Sequence, residues 1–191
     1  MSADTRDKIM NAAKELFAAN GYAAVTTKEI AKNAGISEVT LYRHFESKRN
    51  LFNDTVKEHM HNYGIRAYIQ NEATYDVRHD LTHIAKKLIE SYKKNAALIR
   101  MVIKDQALKS EASTHSKRLE NTDFEVLKSY FKELKEKGLI KDDEMKLMHF
   151  FLSNIHGFSM RAYILNPNPA NPKDEEYLDW LINKIIDTIL M

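Results

Sequence analysis

Apolar residues recur at three- and four-residue spacings along most of the chain, which is the periodicity of amphipathic helices. No segment has the period-two alternation of a strand ladder. The pattern predicts a first helix from about Thr5 to Asn20. Further helices are predicted at about 27–34, 37–44, from Ser47 to about Tyr68, and at 79–94, 96–108, 117–137, 142–165 and 174–190. The chain is therefore predicted to be all-α, with about nine helices.

Residues 26–48 have the caps and the turn of a helix-turn-helix. Thr26 and Glu29 have capping-box spacing, Gly35 can supply the positive φ of a tight turn, and Ser37 can cap a second helix. The outward positions of this second helix are polar: Glu38, Thr40, Tyr42, Arg43 and His44. A short helix with an exposed polar N-terminus is the geometry that enters a DNA major groove. The segment therefore predicts a DNA reader.

This N-terminal segment resembles the DNA-binding domain of the TetR family of bacterial transcriptional regulators. The matching positions are Ile9, Ala12, Ala13, Leu16, Phe17, Gly21, Tyr22, Thr26, Thr27, Ile30, Ala31, Ala34, Gly35, Ser37, Thr40, Leu41, Tyr42, His44, Phe45, Lys48 and Leu51. The resemblance implies a three-helix DNA-binding domain at 1–47 and a helical effector-binding and dimerisation domain at 48–191. It also implies a homodimer whose effector moves the fourth helix.

The resemblance assigns contacts with DNA to particular residues. Thr40 and His44 are expected near bases or phosphates, and Tyr42 is expected on a phosphate. Lys48 is a typical phosphate clamp of the family. Thr27 is expected to meet the DNA backbone on the opposite side of the groove.

Four further residues of the segment are candidate DNA contacts. Arg43 is best suited to read a guanine bidentately and is the leading candidate for specificity. Ser37 can combine its capping role with a phosphate contact. Glu38 either accepts from a cytosine amino group or interacts with the helix dipole. Val39 either touches a thymine methyl or packs, and these alternatives remain open.

The last two predicted helices carry apolar residues nearly all round, so they need covering all round. Packing of both helices against a second subunit satisfies this need, while two core helices of a monomer are the alternative. The predicted interface residues are Phe151, Ile155, Phe158, Trp180, Ile182, Ile185 and Ile189.

Polar residues within the predicted helical core suggest an effector pocket. His149 and His156 lie two turns apart on an apolar helix, where they either line an effector pocket or hydrogen-bond across the dimer interface. Other candidate wall residues are Tyr92, Met101, Asp105, Gln106, Phe124, Tyr130, Phe131 and Met148, each of which can equally be core. The content of these helices favours an apolar or amphipathic small-molecule effector.

The cysteine count, the net charge and the lengths of the apolar runs exclude several classes of protein. The chain has no cysteine, so disulfides and thiol chemistry are excluded, and its net charge is only +2. DNA affinity must therefore come from a few placed charges rather than a strongly basic surface. The N-terminus lacks an apolar signal segment and no long apolar run follows, so a cytoplasmic protein without a membrane span is expected.

The sequence thus predicts a ligand-responsive repressor that binds a pseudo-palindromic operator as a homodimer and needs no cofactor. An activator remains open. One rival is a helical metal-dependent hydrolase using His79 and His83, which lacks a third ligand at readable spacing. A second rival is a helical interaction module that never touches DNA.

Overall fold

A computed structural model describes residues 3–61, 63–104, 123–166 and 172–190. Within these ranges the protein is all-α, with nine α-helices and no strand, as predicted. None of the described helices is both long and apolar enough to span a membrane. The helices are α1 (Ala3–Asn20), α2 (Thr27–Asn33), α3 (Glu38–Phe45), α4 (Lys48–His61), α5 (Ile65–Asn71), α6 (Val77–Lys104), α7 (Asp123–Glu136), α8 (Glu144–Ser159) and α9 (Pro172–Leu190). A π-helical segment, Met160–Leu165, follows α8 directly.

Two predicted helix boundaries were wrong. The fourth helix ends at His61 instead of reaching Tyr68, and Gly64, at φ +72°, begins the separate helix α5. The helices predicted at 79–94 and 96–108 form one helix, α6, through Asn95. Asn95 lies within the helix because its amide donates to Ser91 Oγ one turn earlier. The predicted helical residues 105–108 and 117–122 lie outside the described residues.

The chain divides into two compact units, and α6 contributes to both. The first unit contains α1–α4 and α6 from Ala97 onward. Its core contains residues predicted to face inward together with two from the end of α6: Ile9, Phe17, Ile30, Leu41, Phe45, Leu51, Phe52, Leu98 and Val102. Burying each such side chain contributes about 1.5–3 kcal/mol. The functional boundary predicted between residues 47 and 48 remains a prediction, and α4 belongs structurally to the first unit.

The second unit contains α5, α6 up to Ala96, and α7–α9. A fully buried carboxylate, Asp80, joins three of its elements. Asp80 accepts the hydroxyls of Tyr68 on α5 and Tyr130 on α7, at 2.8 and 2.7 Å. It also accepts the backbone N–H groups of Thr74 and Tyr75, at 3.0 and 2.8 Å. This Asp80 cluster fixes the loop before α6 against both neighbouring helices.

The predicted interface residues of the last two helices need a correction. Phe151, Ile155, Phe158, Ile182, Ile185 and Ile189 are each at most 5% exposed within the single chain. The chain's own helices cover them, so they offer no surface to a partner in this conformation. Trp180 alone of the predicted set is exposed, at 53%.

Candidate nucleic-acid interface

Local hydrogen bonds fix the start of α2 as predicted. Thr26 N–H donates to Glu29 Oε2 at 2.8 Å, and Glu29 N–H donates to Thr26 Oγ1 at 3.2 Å. This reciprocal pair is a capping box. The bond from the Thr26 N–H, followed by the bond from its hydroxyl, lowers the pKa of Glu29. Gly35, at φ +69°, makes the turn to α3.

Helix α3 presents one face to the core and the other to solvent. Ser37 caps it by accepting the Thr40 N–H at 3.1 Å. Leu41 and Phe45 are buried, and this anchors the inward face. Val39 is 79% exposed, so packing within the unit does not account for it. The exposed side chains of α3 therefore start at its N-terminus, where a recognition helix meets base edges.

A hydrogen-bond chain connects α2 with α3. Thr27 Oγ1 donates to Glu38 Oε1 at 2.6 Å and lies 3.1 Å from the Tyr42 hydroxyl. Because Thr27 has one hydroxyl proton and a carboxylate only accepts, Tyr42 must donate to Thr27. The Glu38 carboxylate is thus engaged within the protein, an arrangement neither sequence interpretation anticipated. Thr27 is only 8% exposed and its hydroxyl is bonded to Glu38 and Tyr42.

The predicted phosphate clamp Lys48 rests on an aromatic ring. Its Nζ lies 4.5 Å from the centroid of Tyr22, and Arg49 Cζ lies 5.3 Å from the same centroid. Phe52 supports the Tyr22 ring edge-on at 5.0 Å. Burial lowers the pKa of Lys48, and the charge of Glu29 opposes this effect. In the sequence, Tyr22 stood out only as a position that matches the family. An aromatic residue just after the first helix could have suggested that it supports the cations at the start of α4.

The candidate DNA contacts all lie on neighbouring elements of the first unit. The set comprises Thr27, Ser37, Glu38, Val39, Thr40, Tyr42, Arg43, His44 and Lys48. Arg43 is exposed and His44 is half-buried. The arrangement combines exposed side chains, two helix N-termini and cations supported on a ring, and these features suit binding to a polyanion.

The candidate effector residues are more dispersed. Tyr130, Phe131 and Met148 are fully buried core, and Tyr130 belongs to the Asp80 cluster. Phe124 and His149 lie at the surface with their ring centroids 6.2 Å apart. Met101 belongs to the first unit, and Asp105 and Gln106 lie outside the described residues.

Tyr92 and His156 form a direct pair in the second unit. The Tyr92 hydroxyl lies 2.9 Å from His156 Nδ1. Tyr63, which sequence reasoning missed, is near the same imidazole, with the two ring centroids 6.4 Å apart. Burial lowers the pKa of His156 and raises those of Tyr63 and Tyr92, so all three groups are neutral at pH 7.

Ser159 lies one helical turn beyond His156, at the start of the π-helical segment. It is fully buried, and its hydroxyl oxygen has no hydrogen-bond partner among the described residues. We refer to Tyr63, Tyr92, His156 and Ser159 as the His156 cluster. Nothing in the sequence around Ser159 signalled this hydroxyl, because most helical serines bond a carbonyl of the preceding turn.

The two histidines considered for a metal site have other contacts. His79 Nδ1 lies 3.0 Å from Asp80 Oδ1, and His83 stacks on Tyr68 with centroids 4.0 Å apart. The described part of the chain contains no group of three metal-ligand side chains. Both histidines therefore contact members of the Asp80 cluster: His79 contacts its carboxylate, and His83 contacts the Tyr68 ring.

Comparison with known proteins places this architecture in a family. Residues 9–55 match the family described as "Bacterial regulatory proteins, tetR family". The chain is 29% identical over 176 residues to the HTH-type transcriptional regulator YvkB of Bacillus subtilis, covering 92% of each protein. It is 25% identical over 177 residues to IcaR of Staphylococcus epidermidis, a negative transcriptional regulator of the biofilm operon icaADBC, covering 90% of this chain and 95% of IcaR.

Solved structures show the same fold. The crystal structure of a TetR-family regulator from Mesorhizobium loti superimposes with a TM-score of 0.73 at 22% identity, covering 98% of both chains. The capped helix-turn-helix, the family match and the full-length relatives therefore agree: residues 9–55 form a DNA-binding domain of the tetR family, and the chain is a DNA-binding transcriptional regulator.

Proposed function

We propose that the protein is a ligand-responsive repressor that binds a pseudo-palindromic operator as a homodimer. The observation that carries this proposal is the capped α3, which exposes Val39 and Arg43 beside the Lys48 side chain on Tyr22. Repression is supported by IcaR, whose name describes it as a negative regulator. An operator with two half-sites follows from two copies of α3 related by a twofold axis.

The candidate contacts divide into two classes. Arg43 reads base edges, with Val39 and Thr40 near thymine methyls or bases, because these residues lie at or near the exposed side of α3. Lys48, Ser37 and the N-terminus of α2 hold phosphates. His44 and Tyr42 lie between the two classes, and Glu38 positions Thr27 instead of touching DNA.

Selection of bound duplexes from a random-sequence pool tests the DNA-binding part of the proposal. We expect an enriched inverted repeat. Arg43→Ala should relax preference at one or two positions at a cost of about 1–3 kcal/mol, whereas Lys48→Ala should weaken all sequences alike and flatten the salt dependence. Lys128→Ala, on the exposed surface of α7, is the control for simple loss of charge. If the folded protein enriches no sequence from the pool, the DNA-binding part of the proposal is wrong.

The homodimer is proposed to use the exposed faces of α8 and α9. Phe150 is 39% exposed, and Tyr177 and Trp180 are 46% and 53% exposed. Gly157 lies in the last turn of α8, directly before the π-helical segment and two turns from Phe150, and a Cβ built there would meet no atom within 4 Å. A glycine costs about 1 kcal/mol relative to alanine inside a helix, so close approach of a second helix explains its use.

Light scattering after size exclusion tests this interface. Gly157→Arg should yield monomers without disturbing the fold, because the space around Gly157 is open within one chain. Ser129→Arg, on the exposed side of α7, is the matched control and should leave the dimer intact. A dimeric Gly157→Arg protein would exclude this face.

The effector is proposed to bind at the His156 cluster. The cluster has neutral hydrogen-bonding groups, a buried hydroxyl with no partner among the described residues, and apolar neighbouring helices. These features favour a neutral or amphipathic molecule with hydrogen-bonding groups. Screening small molecules for release of the selected operator tests this part, and hits should lose effect in a Tyr92→Phe variant that still binds operator. If the hits release operator from this variant as effectively as from wild type, the effector binds at another site.

A further inference from the structure

A cleft of about 790 Å³ lies within the first unit. None of its lining residues belongs to the His156 cluster. One wall is the end of α1 and the turn that follows, including Ala18 and Tyr22. The other wall is the last two turns of α6. Its volume falls within the range of sites for small organic molecules.

The lining of this cleft has a distinct chemistry. Four alanines, Met101 and aromatic rings provide apolar surface, and the small side chains leave room for a flat body. Arg100 and Lys104 lie one turn apart on α6, and none of the described side chains that line the cleft is acidic. The carbonyl end of α1 contributes only about half a negative charge, which the charge of Lys104 exceeds. The cleft is thus complementary to an organic anion with an apolar body.

We propose that this α1–α6 cleft binds amphipathic organic anions, such as arene or alkyl carboxylates and sulfonates, and that occupancy weakens DNA binding. The proposal requires the DNA-binding function of the first unit but does not require an effector at the His156 cluster. The apolar body lies against Ala18 and Tyr22, and the anionic group lies beside Lys104.

Tyr22 connects the cleft with the DNA-binding cations. Its ring lines the cleft and also supports Lys48, at 4.5 Å, and Arg49, at 5.3 Å. An apolar body packed against Tyr22 in the cleft shifts the ring on which these two cations rest, and a DNA phosphate requires both cations in place. The two ligands should therefore oppose each other, and the coupling must be reciprocal: duplex DNA weakens anion binding by the factor by which the anion weakens DNA binding.

Adjacent alanines on α1 provide a matched test of the location. Ala18 lines the cleft, whereas Ala19 is exposed and does not line it. With 1-anilinonaphthalene-8-sulfonate as the fluorescent probe, Ala18→Leu should weaken binding about tenfold by filling the cleft, and Ala19→Leu should match wild type. Ala97→Leu fills the cleft from the α6 side and replaces Ala18→Leu if circular dichroism shows that variant to be unfolded.

The role of charge is tested with a second pair of ligands and variants. N-phenyl-1-naphthylamine has the same aromatic body without the sulfonate, so it should bind more weakly and should not release DNA. Lys104→Gln should weaken binding of the sulfonate, whereas Lys94→Gln, on the exposed surface of α6 but outside the cleft, should not. Saturating sulfonate should lower duplex affinity of wild type about threefold or more, and Ala18→Leu should abolish this effect.

Three results would overturn the proposal: no probe binding by folded wild-type protein, equal probe affinity in the Ala18→Leu and Ala19→Leu variants, or probe binding without any change in duplex affinity. Tyr92→Phe should leave sulfonate binding unchanged, which separates this cleft from the effector site proposed in the second unit. Failure of the cleft proposal would leave sequence-specific DNA binding intact, whereas failure of DNA binding would appear with wild-type protein alone, before any probe is added.

Discussion

The two polar clusters of the second unit differ in how fully their hydrogen bonds are used. Asp80 is completely buried and accepts from two tyrosine hydroxyls, two backbone N–H groups and the Thr74 hydroxyl. In the His156 cluster a side-chain hydrogen bond joins Tyr92 and His156, and the buried Ser159 hydroxyl has no partner among the described residues. The Asp80 carboxylate thus has several hydrogen-bond donors, whereas the His156 cluster contains a hydroxyl that can still form a hydrogen bond with a ligand.

This difference separates a structural role from a binding role. A buried polar network with every donor satisfied makes the local fold unique, and removing its centre leaves several groups unsatisfied at once. A cluster with spare donors and acceptors costs stability in the free protein, and a ligand that completes it recovers that cost. The comparison therefore predicts opposite mutational behaviour at the two sites.

The largest expected effect is at Asp80. Asp80→Asn places an amide donor opposite groups that themselves donate, so the free energy of unfolding should fall by about 3 kcal/mol. Asp76→Ala is the matched control at the start of the same helix, where the Asp76 carboxylate accepts the His79 N–H at 3.0 Å. The control should cost about 1 kcal/mol. Urea unfolding measures both, and an Asp80→Asn effect no larger than that of Asp76→Ala would break the comparison.

Acid should remove part of the same stabilisation. Burial alone raises the pKa of Asp80, but hydrogen bonds from His79, Tyr130, Tyr68 and the Thr74 N–H lower it to about 2. Because the native pKa lies below the unfolded value, the carboxylate contributes its stability above about pH 4, and this contribution is lost as the pH falls toward 2.

The complete loss, reached once the pH is below both pKa values, amounts to about 2.5 kcal/mol. Unfolding free energies measured from pH 5 to pH 2 should fall less steeply for Asp80→Asn than for wild type. Equal slopes in the two proteins would show that Asp80 does not carry the titration.

Local signals explain which features could be predicted. The capping box of Thr26 and Glu29 and the Ser37 cap each involve residues three apart, so sequence spacing revealed them. Thr27 and Glu38 are eleven residues apart and Asp80 and Tyr130 are fifty apart. No spacing rule links such pairs, and so sequence reasoning left the role of Glu38 open and did not single out Asp80.

The last two helices show a second limit of sequence reasoning. Apolar periodicity indicated that both helices are widely covered, but it did not distinguish cover by the same chain from cover by a second one. Ile185 and Trp180 have the same apolar character in the pattern, yet one is 2% and the other 53% exposed. Only the packing of the folded chain separates these two positions.

A smaller effect is expected at Tyr92. Tyr92→Phe removes one hydrogen bond to a neutral imidazole, so the free energy of unfolding should fall by about 1 kcal/mol, and affinity for the selected operator should stay unchanged. Ser129→Ala is the control, since it removes an exposed hydroxyl on α7 that donates to the Glu125 carbonyl at 3.1 Å. A loss as large as that of Asp80→Asn would make the His156 cluster a second structural network rather than a binding site.

The smallest effect is expected at Ser159 and is the sharpest test of spare capacity. Ser159→Ala removes a buried hydroxyl without a partner among the described residues, so stability should change by less than about 0.5 kcal/mol or should increase. Thr55→Val is the matched control, because Thr55 is equally buried and its hydroxyl donates to the Leu51 carbonyl at 2.7 Å. The control should lose about 1 kcal/mol. If Ser159→Ala were the more destabilising of the two, the Ser159 hydroxyl would be satisfied in the free protein, and the contrast between the two clusters would rest on Tyr92 and His156 alone.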